Sequence, residues 1–178
     1  MLQTLLAERF KLVVHHETRQ LPIYALAFAR RDRRLGPMLR RSQVDRAALP
    51  ANPNVPLPTF GTPRCEAEGP PCSPGLGIGG VFKGVAMTIP ELTVFVSKWL
   101  DRAVSDRTGL TGSFDVELQF SPEGLTGIDP GPPGVERPPN ENPSIFIAVQ
   151  EQLGLKLEST KGPVDVLIID RAEKPTEN

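Results

Sequence analysis

Histidine and cysteine are scarce in this sequence, with two of each in 178 residues. His15 and His16 are neighbours in an alternating stretch, so they point to opposite faces of a strand and cannot easily share one ion. His15 and Glu17 do share a face, but two ligands make neither a structural nor a catalytic zinc site. Cys65 and Cys72 bracket Glu66–Pro71 with no histidine base suggested nearby, which leaves thiol nucleophilic catalysis without its activator. No hydrophobic run reaches membrane-spanning length, and the N-terminus lacks the ordered regions of a signal peptide. A net charge of −1 with 23% charged residues supplies no global field for nucleic acid or a membrane. No metal, no cofactor, no nucleic-acid partner and no direct membrane insertion are expected.

Proline (20) and glycine (16) are plentiful instead, and they gather in Leu49–Gly80 and Ser121–Pro143. Both residues interrupt periodic structure, so these stretches read as long irregular loops. Charge is also unevenly placed. Residues 1–41 carry about six excess positive charges and residues 101–178 about seven excess negative ones. A solvated face accounts for that asymmetry more simply than a basic contact surface does.

Leu2, Leu5, Leu6 and Phe10 fall at helical spacing. Lys11–Glu17 and Leu21–Phe28 read as two strands joined by a polar turn at Thr18-Arg19-Gln20, and the basic Arg30–Arg41 segment is expected to leave the core. Val81–Met87 reads as a strand. Thr88-Ile89-Pro90-Glu91 is a capping box with proline in the first turn, and it opens a helix whose Ile89, Leu92, Phe95, Val96, Trp99 and Leu100 share a face. Ala103-Val104 reads as a short strand. Phe114, Val116, Leu118 and Phe120 alternate with Asp115, Glu117 and Gln119 in a half-buried strand. Asn142-Pro143 offers an N-cap for a helix lined by Ile145, Val149 and Leu153 and ended by Gly154. Leu155–Ser159 and Val164–Asp170 then read as closing strands, with a turn at Lys161-Gly162.

The two ends align. Glu8, Phe10, Leu12 and Val14 match Glu151, Leu153, Leu155 and Leu157. After a shortening of two residues, Pro22, Ile23, Leu26 and Arg30 match Pro163, Val164, Leu167 and Arg171. The expected fold class is α+β, with small mixed sheets and helices on one face. Residues 1–41 would be a partial repeat of helix, strand and strand, and residues 42–80 a Pro/Gly-rich loop. Residues 81–178 would be a complete strand-helix-strand-strand-helix-strand-strand module with a loop insertion at 121–142. Met1 falls inside an amphipathic helix with no capping residue before it, so a chain cut from something longer is expected.

The motifs Val104–Gly112 (VSDRTGLTG), Phe114–Leu118, Gln150–Pro163 (QEQLGLKLESTKGP) and Val166–Asn178 (VLIIDRAEKPTEN), with Met1–Arg30 ahead of them, resemble the soil-associated bacterial family known as domain of unknown function 3738. The likeness covers nearly the whole chain and is least in Arg41–Pro70. The resemblance implies a segment ahead of this one, often behind a secretory signal, and thus a parent protein exported to the periplasm or cell envelope. It also implies an extracytoplasmic sensing or docking role, because some relatives carry the domain on membrane-bound metallopeptidase sensors. No activity is implied. The element order is similar, more weakly, to the short N-terminal domain of secretins and TonB-dependent receptors, a protein-contact module.

Three sequence features invite a chemical reading. Gly75-Leu76-Gly77-Ile78-Gly79-Gly80 satisfies G-x-G-x-x-G, but a phosphate cradle needs a strand before it and a helix after it, and here prolines precede and a strand follows. It reads as a flexible loop. In an exported protein Cys65 and Cys72 would form a disulfide worth the lower end of about 2–4 kcal/mol, since the closed loop is short; in a reducing compartment they would be thiols. Asp106, Asp115 and Glu117 cluster near a turn, yet paired acids need a shared cleft and alternation puts Asp115 and Glu117 on a solvent face. Asp106, Thr108, Gly109 and Gly112 read as a structural turn motif, with Asp106 closing it through its side chain. Two readings follow: a non-enzymatic interaction or sensor module, contacting an envelope protein or itself through exposed strand edges, or a hydrolase or carbohydrate-acting enzyme using Asp106 and Glu117. A fragment without independent function is the third.

Overall fold

The computed structural model describes residues 2–44, 75–76, 80–126 and 141–174. Among them are helices α1 (Leu2–Phe10), α2 (Ile89–Leu100) and α3 (Ile145–Leu153). The strands are β1 (Val13–Phe28), β2 (Leu39–Arg41), β3 (Gly75–Leu76), β4 (Val81–Met87), β5 (Val104–Asp106), β6 (Phe114–Gln119) and β7 (Leu155–Arg171). They form a three-stranded sheet in the order β5-β1-β7 and a four-stranded sheet in the order β2-β6-β4-β3. The fold is α+β.

Two expected hairpins are absent. β1 runs unbroken through Thr18-Arg19-Gln20, and β7 runs unbroken through Lys161-Gly162. The closing module is therefore strand-helix-strand-strand-helix-strand, with one long final strand. Polar residues in the middle of each strand mimic a turn because Thr18, Arg19, Gln20 and Lys161 are exposed there, where no apolar side chain is called for. Proline is tolerated there for a related reason. The Tyr24 N–H donates to Ala103 O and Leu26 O accepts from the Arg107 N–H, so this phase of β1 faces β5. Pro22 is in the same phase two residues earlier, beyond the paired residues Tyr24–Leu26, where a missing donor costs no ladder bond.

α2 forms as its sequence dictates. Thr88 Oγ1 accepts the Glu91 N–H at 3.3 Å while the Glu91 carboxylate accepts the Thr88 N–H at 2.8 Å. Removing the cap with Thr88→Ala is expected to cost about 1 kcal/mol, read as a lower denaturation midpoint with an unchanged slope. α2 buries Ile89, Leu92, Val96 and Trp99 against the inward residues of β4 and β6, and the rings of Phe82 on β4 and Phe120 just past β6 have centroids 5.0 Å from Trp99. α3 adds Ile145, Ala148, Val149 and Leu153 to the same core. Its N-cap is Ser144 rather than Asn142, and Gly154 ends it in the left-handed region at φ 71°. Gln152 clamps α3 to the end of β6, its amide donating to Gln119 O at 2.7 Å and its Oε1 accepting the Gln119 N–H at 2.8 Å.

The basic segment leaves the core over Arg30–Arg34 but returns to it, with half-buried Leu35 packed against the core. Leu39 is buried, and β2 pairs antiparallel with β6 across Leu39–Val116. The glycine run is not wholly a loop either, since Gly75 and Leu76 pair with Lys83 and Phe82. Gly80, at φ 81°, sits where a Cβ would fall 1.9 Å from Phe120 O.

The described chain divides into two compact units. One comprises Met1–Pro22 with Lys161–Asn178, and the other Ile23–Thr160. The hydrophobic core just described belongs to the second unit. Both long strands pass from one unit to the other.

Candidate interaction surface

The first unit is built from α1, the outer half of β1 (residues 13–22) and the outer half of β7 (residues 161–171). Alternation assigns its faces. His16 Nδ1 lies 3.0 Å from Asp165 Oδ2, so Val14 and His16 share a face with Asp165, Leu167 and Ile169. His15 Nδ1 lies 2.8 Å from Asp170 Oδ2 on the other face. Each contact is an ion pair when the imidazole is protonated and a hydrogen bond otherwise. All four side chains are exposed, so neither contact is a strong source of stability. The histidines thus go to separate carboxylates, and among the described residues no three His, Cys, Asp or Glu side chains gather to hold an ion.

Several apolar residues of this unit are left uncovered. Leu167 is 56% exposed and Ile169 62%, and Leu5 on α1 is 49% exposed. Half-buried Val164, Val166 and Ile168 occupy the opposite face of β7. β7 is also the outer strand of its sheet, so its second edge presents backbone donors and acceptors with no strand beside them among the described residues. Charges flank this surface in local pairs. The Arg19 guanidinium, hydrogen-bonded to Glu17 at 2.8 Å, holds that carboxyl below its ordinary range, and the carboxylate in turn raises Arg19. Arg171 is paired with Glu173.

The carboxylates expected near a turn are held apart. Asp106 Oδ1 accepts the Thr108 N–H and hydroxyl, both at 2.8 Å, and Thr108 Oγ1 accepts the Leu110 N–H at 3.1 Å. Gly109 and Gly112 follow with φ of 67° and 90°. These bonds shape the exit of β5. Glu117 lies in the other sheet, on β6, where it pairs with Lys83 at 3.3 Å. Asp115 has a task that alternation did not reveal. Its carboxylate accepts the Ala86 N–H at 2.9 Å, closing a β-bulge between Gly84 and Met87 in which Ala86 takes φ 51°. Cys65 and Cys72 lie outside the described residues.

The family model for proteins of unknown function DUF3738 matches residues 1–172. The chain belongs to that family. The DUF3738 match spans both compact units, so the uncovered ribbon is part of the family's domain and not an appendage to it. No curated protein and no solved structure matches the chain.

Proposed function

We propose that this chain is a non-enzymatic protein-contact module of the bacterial cell envelope, with the outer halves of β1 and β7 as its contact surface. The observation that carries the reading is a free edge on β7 lying beside uncovered Leu167 and Ile169. An open strand edge offers main-chain hydrogen bonds to an incoming strand, and apolar side chains beside it supply specificity. Proteins that avoid such association blunt the edge with charge or cover it. The envelope placement draws on the likeness to domains borne by membrane-bound metallopeptidase sensors, whose parent proteins are exported. The alternative, hydrolysis or carbohydrate chemistry through Asp106 and Glu117, has less to support it. One carboxylate is engaged by Thr108 and the other by Lys83, in different sheets.

The test is photo-crosslinking in cells with the full-length protein. A reactive side chain at Leu167 is expected to yield one discrete adduct with an envelope protein. The same group at the exposed Glu151 of α3 should not. Equal labelling from both positions, or no adduct from Leu167, would remove the basis for the proposal.

A further inference from the structure

The second unit already contains a cover for residues that correspond to the bare ones of the first. Leu167 is 56% exposed, but its sequence match Leu26 is 1% exposed. Leu5 is 49% exposed, and its match Ala148 is fully buried. Leu6, Phe10 and Leu12 are half-buried, whereas their matches Val149, Leu153 and Leu155 are buried in the main core. The faces correspond as well. Leu157 packs against the core that holds Leu26, and their matches Val14 and Leu167 share one face of the ribbon. The shortening of two residues between the aligned strands preserves this, because the side-chain period of a strand is two. Even the turn out of the helix agrees, with Lys11 at φ 48° where Gly154 has φ 71°.

What covers the second unit is β4, α2, β5 and β6. β5 lies parallel to β1 at Tyr24–Leu26, and α2, β4 and β6 supply Phe82, Trp99, Val116 and Phe120 to the core around Leu26. The positions of β7 that match Tyr24–Leu26 are Asp165–Leu167. Pro163 matches Pro22, so its absent N–H falls where the incoming strand has no need of it.

We propose that the first unit is the receiving half of a second core, and that its partner is a polypeptide presenting a strand-helix-strand-strand unit of the same pattern as Val81–Gln119. One strand of that unit lies parallel along Asp165–Leu167, as β5 lies along Tyr24–Leu26. Its helix and remaining strands bury Leu167, Ile169, Leu5 and Leu12. The inference rests on the protein-contact reading above and names the kind of partner that reading leaves open.

The experiment places a duplicate of residues 75–126 ahead of the full chain, so that the covering unit is present at high effective concentration. Amide exchange of β7, which is not duplicated, is compared with and without it. The Asp165 amide, the match of the bonded Tyr24 amide, is expected to slow by about tenfold or more in the tandem protein. Leu167→Asp should move the melting midpoint of the bare chain by no more than about 1–2 °C, and that of the tandem by about 5 °C or more. Unchanged exchange at Asp165, an equal effect of Leu167→Asp in both proteins, or a bare chain that self-associates with Asp165 already protected would overturn the inference. Should the tandem fold poorly, the adduct captured from Leu167 in cells decides. Its attachment point must map to such a unit in the partner, and attachment in a loop would overturn the inference while leaving the contact reading standing.

Discussion

Phe82→Ala is expected to lower the unfolding free energy by about 3–5 kcal/mol, among the largest single effects available in this chain. Phe82 is fully buried on β4, with ring centroids 5.2 Å from Phe95 and 5.0 Å from Trp99, and Trp99 continues the stack to Phe120 at 5.0 Å. Truncation removes the transfer energy of the ring and leaves a void walled by rigid aromatic side chains, which collapse poorly into empty space. Urea titration of the purified chain measures the loss. Phe146, partly exposed on α3 beside Tyr24, is the control, and its alanine variant should lose far less. Equal losses at the two positions would mean that the core does not depend on the aromatic stack.

Gly154→Ala is the second large effect, expected at roughly 2–5 kcal/mol. The left-handed conformation costs an L-residue about 1–2 kcal/mol, and forcing packed backbone apart costs about 1–3 more. A Cβ at residue 154 would stand 2.6 Å from Gly36 N and 2.7 Å from Arg34 O, both backbone atoms that no rotamer change can move. That segment is anchored to the helix end, where the Gly36 N–H donates to Leu153 O and the Met38 N–H to Gln152 O, each at 2.9 Å. The substitution therefore strikes the C-terminus of α3, the start of β7 and the approach to β2 together. Thermal unfolding reads the loss, and a midpoint within about 2 °C of wild type would contradict the geometry.

What was legible in the sequence was local. The Thr88–Glu91 capping box, the apolar face from Ile89 to Leu100, the alternation from Phe114 to Phe120 and the glycine stop at residue 154 each depend on residues a few positions apart. The errors lie where the deciding partner is remote. Thr18-Arg19-Gln20 and Lys161-Gly162 carry turn chemistry, yet they stay extended because each strand pairs with the other, as the contact between His15 and Asp170 shows across 155 positions. Leu39 lies between Gly36-Pro37-Met38 and Arg40-Arg41, so no strand or helix period marks it as core, and only its pairing with β6 buries it. Alternation alone makes Asp115 a solvent-facing residue, because a bulge in the neighbouring strand leaves no mark on its own strand's pattern. Of the candidate surface, the sequence leads to an open edge at Lys11–Glu17 or Leu21–Phe28, whereas β1 lies between β5 and β7 and the outer strand is β7.

A ribbon whose two strands are separated by most of the sequence also fixes an order of events. Residues 13–22 cannot find residues 161–171 until nearly all the intervening chain exists. At synthesis rates of about 5–20 residues per second, the leading strand waits on the order of ten seconds without its mate. Through that interval Val13 and Val14 lie next to His15, His16, Glu17 and Arg19. Such polar and charged neighbours keep a nascent β-segment from joining others like itself. The polar middle of β1 thus protects the chain during its own synthesis.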